Sequence, residues 1–224
     1  VFEERPFGGN NYYFQKRESS VIIDPSVASY HDQIDAGTHL IHFFGHSTSN
    51  IQDITIRAAD QYQNYGRYPL MVAMGCYGGD FTGTESFGEQ WVKIPGRGAI
   101  GFLANSSAGY LGPLRDYGRI VYKEIYTNGL GRPIGKVLQE HFHSFEDSLL
   151  GIQYRNHSRQ INLQGDPAVV LYYPDKADLE IERTSVFFSP ETFTAQDDSF
   201  RINVITANQG LATSDTFDIS VRQS

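Results

Sequence analysis

Sulfur is nearly absent from this 224-residue chain, which holds one cysteine, Cys76, and two methionines, Met71 and Met74. A lone thiol excludes an intrachain disulfide framework and any all-thiolate metal site. It leaves two readings of Cys76, a small buried residue or a nucleophile. Runs of Lys or Arg are also missing, and the net charge is -8. A surface of that sign repels phosphate backbones and anionic membranes, so nucleic acid is not an expected partner. No apolar stretch approaches the length of a membrane span, and no secretory leader opens the chain. Val1 is not an initiator methionine, so the chain reads as an excerpt, a processed product or the ordered part of something longer.

Aromatics, by contrast, are plentiful: 14 Tyr and 15 Phe against a single Trp, a balance suited to strands and sheet–helix interfaces. The length suffices for one sizeable domain, alone or with a small second one. Two short apolar runs organise the reading. Leu40-Ile41-His42-Phe43-Phe44 ends in Gly45-His46, and Leu70-Met71-Val72-Ala73-Met74 ends in Gly75-Cys76. Thr38 to Phe44 does not alternate cleanly, which predicts a central parallel strand covered on both faces, and Leu70 to Gly75 is the next predicted strand. A third buried-type strand is predicted over Gly98 to Leu103, followed by a Ser/Asn/Gly loop over 104–112.

Between these runs lie helix signals. Ser26 to Gly37 reads as a short helix. Thr84 is placed to cap a helix over Glu85 to Ile94, with Phe87, Trp91 and Ile94 on one face. Leu114, Tyr117, Val121 and Ile125 mark another, and Ile134, Val137, Leu138, Phe142, Phe145 and Leu149 the next. Ile161 to Gly165 and Ala168 to Tyr173 complete an α/β domain over 1–174 with a mainly parallel sheet flanked by helices. After Pro174 the pattern turns to period 2, over Ser185 to Phe188, Phe200 to Ile205 and Thr216 to Val221. That predicts a partial all-β, Ig-like sandwich over 175–224, too short to be complete.

In a parallel sheet, ligands sit beyond the carboxyl ends of the strands. His46, Cys76 and the 104–112 loop all fall there. A catalytic thiol needs access, a base and backbone N–H groups for a developing oxyanion, and a strand end followed by Gly78-Gly79 offers them. His46 lies thirty positions upstream, a separation that one strand–crossover–strand unit spans. His39 and His42 lie inside the predicted strand and read as packing residues. An orienting carboxylate has four candidates, Asp24, Asp53, Asp80 and Glu85, and spacing does not choose among them. Asp80 also reads as a loop stabiliser or part of a structural calcium site. A zinc site of His42, His46 and Cys76 fits no usual spacing and lacks a fourth ligand. Ser47 as nucleophile lacks the elbow motif of serine hydrolases.

Taken together, Phe43-Phe44-Gly45-His46-Ser47, Tyr65-Gly66-Arg67-Tyr68-Pro69-Leu70, Gly75-Cys76-Tyr77-Gly78-Gly79 and Arg97-Gly98-Ala99-Ile100-Gly101-Phe102 resemble the caspase-like clan of cysteine peptidases. Glu85 to Trp91 and Leu163 to Ala168 add to the match. More narrowly, the chain is similar to the gingipain-type C25 family of Bacteroidota over about 35–173. The tail is similar to the adhesion-like Ig modules that follow such domains.

The resemblance implies a thiol peptidase acting on polypeptides, with Cys76 as nucleophile and His46 as general base. It implies an oxyanion hole of the Cys76 and Ser47 backbone N–H groups, Ser47 standing where Gly is more typical. Tyr77, Gly78, Asn105 and Ser106 would contact substrate. No cofactor is implied. The family's third catalytic carboxylate lies upstream of its His and would fall before Val1. The resemblance further implies export by the type IX secretion system, partners among secretion or cell-surface components, and a secreted or outer-membrane location. Two alternatives travel with it: a sortase or transpeptidase of the same chemistry, and an inactive surface or secretion component that keeps the fold.

Overall fold

Short runs rich in aliphatic and aromatic side chains, each closed by glycine, favour strands over helices. In the computed structural model Leu40–Phe44 is β1, Leu70–Met74 is β2 and Gly101–Asn105 is β3. The structure describes residues 11–14, 26–50, 52–53, 56–83, 85–146, 151–181, 185–192, 194, 196, 198–208, 210–211 and 213–222. β1 pairs parallel with β2, and β2 with β3. Ile161–Gly165 forms β4, antiparallel to β3, giving the sheet order β1-β2-β3-β4.

Helices cover both faces. On one side, Ile41, Phe43, Met71, Ala73, Phe102 and Ala104 pack with Ile34 of α1 (Ser26–Ala36) and with Phe87 and Trp91 of α2 (Phe87–Lys93). The opposite side carries α3 (Leu111–Tyr126), α4 (Ile134–Glu146) and α5 (Ile152–Gln160). There α3 buries Leu114, Tyr117, Val121 and Ile125, and Gly118 lets its backbone approach Met74. Burying a large side chain of this kind is worth about 1.5–3 kcal/mol relative to leaving it in water.

β2 and β3 are buried along their whole length, as expected of central strands. β1 differs. Its residues alternate, with Ile41 and Phe43 buried and His42 and Phe44 exposed, because β1 ends the described sheet. The His42 ring stands edge-on to Tyr122 at 4.8 Å. Lost water contact there lowers its pKa to about 4, even though the outer part of the residue stays open at the sheet edge. That makes it a neutral packing group at neutral pH.

Helix α2 begins later than Thr84, which lies outside the described residues. Ser86 is the N-cap, and a reciprocal capping box joins it to Glu89, with the Ser86 N–H donating to Glu89 Oε2 at 2.8 Å. Helix α5 has no counterpart among the helices read from sequence. Leu149 lies outside the described residues. Over Ala168 to Tyr173 the structure holds one bridge, Pro133 to Val170, in place of a full strand.

The chain divides into two compact units, one spanning Tyr12–Leu171 and the other including Tyr172–Ser224. The second carries β5 (Leu179–Glu180), β6 (Val186–Ser189), β7 (Arg201–Val204) and β8 (Ala207–Asn208). β5 pairs antiparallel with β8, and β6 with β7. No strand forms over 216–221 among the described residues; period 2 is present there, but no ladder partner is.

Candidate active site

The β1–β2 ladder matches Leu40 with Leu70, and so on to Phe44 with Met74, a constant offset of thirty. The same offset separates His46 from Cys76. Parallel pairing at that register therefore brings both residues to one carboxyl edge, two positions beyond the last pair. The two chains stay in contact past the ladder. Gly45 N–H donates to Met74 O at 3.4 Å, and Ser47 Oγ donates to Cys76 O at 2.7 Å.

Gly75 makes that approach possible. A Cβ there would stand 2.1 Å from Ser47 Oγ and 2.9 Å from Gly45 O. One residue after Cys76, Tyr77 adopts φ 58°, the left-handed region that a bulky residue rarely enters. The chain turns sharply at this point, and Cys76 stands half-buried at the strand tip.

The thiol's hydrogen-bond partners are both on Gly109. Its N–H donates to Sγ at 3.3 Å, and Sγ lies 3.8 Å from its carbonyl oxygen. No hydrogen bond among the described residues joins the Cys76 thiol to the His46 ring. Thiol and imidazole are neighbours by strand register, without a closed contact. Catalytic pairs in resting sites often tighten only when substrate enters.

His46 is exposed, and its backbone N–H donates to Asp53 Oδ2 at 3.2 Å, while Asp53 N–H returns to His46 O at 2.9 Å. Asp53 thus lies against the His46 segment. Asp80 does not: its Oδ1 takes the Thr82 N–H and hydroxyl, bonds that hold its carboxyl below the ordinary range. Glu85 pairs with Lys93. Asp24 lies outside the described residues. Ser47 faces Gln52 across a bridge closed by the flanking Asp53 N–H to His46 O bond, which leaves the Ser47 N–H out of that bridge.

The four substrate-contact candidates separate by depth. Tyr77 is 42% exposed and Ser106 half-buried, so both reach the surface beside Cys76. Gly78 is buried, its Cβ position meeting Ala104 and Ala73. Asn105 is fully buried and donates from Nδ2 to Ser107 O at 2.6 Å. These two shape the floor on which the surface loop rests.

Sequence reading missed two groups here, Gly109 and His157. Gly109 could have been suspected from its place in the 104–112 loop, but nothing marked its N–H as the thiol's donor. His157 sits in a polar helix with no apolar stripe to reveal it.

The sequence model described as "Peptidase family C25" matches residues 3–172. No curated protein matches the chain. Three solved structures are similar. One, described only as a protease, is 13% identical with a TM-score of 0.57, over 75% of this chain and 44% of its own. The second is the Arg-specific cysteine proteinase gingipain R, 18% identical with a TM-score of 0.55, over 72% and 41%. The third is the complex of Porphyromonas gingivalis RgpB pro- and mature domains, 15% identical with a TM-score of 0.57, over 72% and 42%. At these identities the likeness is one of fold. This chain spans about two-fifths of the length of the structures it matches.

Proposed function

This chain belongs to peptidase family C25, and from that premise we propose that it cleaves peptide bonds as a cysteine endopeptidase, with Cys76 as nucleophile and His46 as general base. The observation that carries the reading is the shared register: His46 and Cys76 leave adjacent parallel strands at matched positions, and Ser47 fastens the two segments at 2.7 Å.

The chemistry follows from that arrangement. Sγ attacks the scissile carbonyl carbon while the His46 ring takes the thiol proton. The carbonyl π electrons move to oxygen, and the backbone N–H groups of Cys76 and Ser47 are the donors proposed to receive that oxyanion. Collapse breaks the C–N bond, and the leaving amine takes the proton from His46. Water, deprotonated by His46, then attacks the Cys76 thioester and releases the acid and the thiol. Asp53 is the carboxylate best situated to support the His46 segment, through its backbone. Tyr77 and Ser106 are the proposed substrate contacts, over a floor that includes Gly78 and Asn105.

The substrate is a polypeptide, as the family implies. No helix among the described residues is long and apolar enough to cross a membrane. A secreted or cell-surface location, with secretion components as partners, belongs to the same proposal and rests on the family resemblance.

An electrophilic peptide that alkylates active thiols tests the reading in the full-length protein. Labelling should occur at Cys76, vanish in Cys76→Ser, and fall about 10²-fold or more in His46→Ala, the size general base catalysis commonly contributes. An unlabelled wild-type protein would favour the inactive secretion component. An added amine that ends up joined to the acyl fragment, with little free acid, would favour the sortase.

A further inference from the structure

Helix α5 is polar, and of its nine residues only His157 and Ser158 are buried. His157 is 1% exposed, yet both its ring nitrogens are engaged.

 

The Tyr110 N–H donates to His157 Nε2 at 2.8 Å, so that nitrogen carries no proton. Nδ1 then holds the proton and donates to Gln153 O at 2.9 Å. The Tyr110 ring also lies against the imidazole, 5.6 Å between centroids.

The peptide unit that His157 grips is the one beside the thiol. Its N–H belongs to Tyr110, and its carbonyl is that of Gly109, 3.8 Å from Cys76 Sγ. A trans peptide points these two groups in opposite directions, so fixing one end on His157 fixes the other toward the sulfur. The next N–H back along the chain, that of Gly109, is the group that donates to Sγ at 3.3 Å. A side chain there would displace Leu114, whose Cδ1 lies 2.3 Å from where a Cβ would stand. The same loop is held to α5 a second time, by Ser106 N–H to Gln160 O at 2.8 Å.

We infer that His157 is a positioning residue for the nucleophile: through Tyr110 it holds the Gly109 backbone N–H on Cys76 Sγ. The inference rests on reading Cys76 as the reactive thiol. An N–H donated to sulfur is stronger when the sulfur is the thiolate, which is the form that attacks. Releasing the loop removes that donor without touching Cys76 or His46.

The test is the rate at which iodoacetamide alkylates Cys76 in the full-length protein at neutral pH, read by mass, beside the melting temperature. His157→Leu should slow alkylation about tenfold to a hundredfold, the scale of one lost hydrogen bond to a charged group. His157→Gln, whose side-chain oxygen reaches about as far as Nε2, should restore most of the rate. In peptide cleavage the loss should fall on kcat and leave KM nearly unchanged. Should His157→Leu fail to fold, His157→Asn, too short to reach Tyr110, takes its place. Equal rates in wild type and the Leu or Asn variant, with only the melting temperature lowered, would overturn the inference and leave the proposed function standing. A His157→Gln rate as slow as that of the Leu variant would also overturn it. A wild-type protein unreactive at Cys76 would overturn both.

Discussion

Ser47 Oγ donates to the Cys76 carbonyl at 2.7 Å, joining the loop after β1 to the loop after β2 at the point where both leave the sheet. The bond depends on a residue that takes no part in it. Gly75 leaves open the space that Ser47 Oγ fills, 2.1 Å from where a Cβ would stand.

Gly75→Ala is therefore expected to push the two strand ends apart. Overpacking of this kind costs about 1–3 kcal/mol, read as a lower urea midpoint at unchanged slope. Cys76 alkylation by a peptide electrophile should fall with it. Ser47→Ala added to Gly75→Ala should recover only part of the stability, because Gly45 O would still meet the new methyl group at 2.9 Å. Full recovery in the double variant would show that the hydroxyl alone sets the fit.

Tyr77 follows the thiol at φ 58°, and its N–H donates to Ser107 O at 3.0 Å. A β-branched side chain is poorly tolerated there, so Tyr77→Val should destabilise by about 1–2 kcal/mol. Tyr77→Gly has no such conflict and should leave the urea midpoint near that of wild type. Both variants remove the exposed ring and should raise KM for peptide substrates if Tyr77 contacts them. A Val variant as stable as wild type would mean that the loop can relax out of the left-handed region.

Much of this site was legible because strand ends leave a simple mark: an apolar run, a glycine, then a reactive residue. That pattern located β1, β2 and the loops bearing His46 and Cys76. The expectation that β1 is covered on both faces failed because His42 and Phe44 are aromatic, and aromatic residues suit a half-exposed edge as well as a core. Helix α5 escaped notice for the opposite reason. Its buried surface is His157 and Ser158, so it carries no apolar period to read. The Thr216 to Val221 segment alternates as a strand should, yet alternation specifies only which side chains share a face; a strand also needs a neighbour to bond.

Acid should weaken the fold before it protonates the carboxylates, and His31 is one reason. The His31 ring is 8% exposed, with Nδ1 2.7 Å from the Tyr62 hydroxyl. That hydroxyl already accepts the Arg57 N–H at 3.3 Å, so its own proton is free to go to Nδ1. The ring is thus held as a neutral acceptor. Burial lowers its pKa first, and Arg57 lowers it further, against smaller opposing effects of Asp35 and Asp32. In the unfolded chain the ring titrates near 6.5, above its folded value. The unfolded state therefore binds more protons below about pH 6.5, and stability falls as pH drops from there toward the folded value. His141, also 8% exposed and lowered chiefly by burial, acts in the same sense. The urea midpoint should be lower at pH 5 than at pH 7.5. His31→Phe should lower the midpoint at both values, since Tyr62 loses its acceptor, but should narrow the difference between them. An unchanged difference in that variant would place the acid sensitivity in the other histidines.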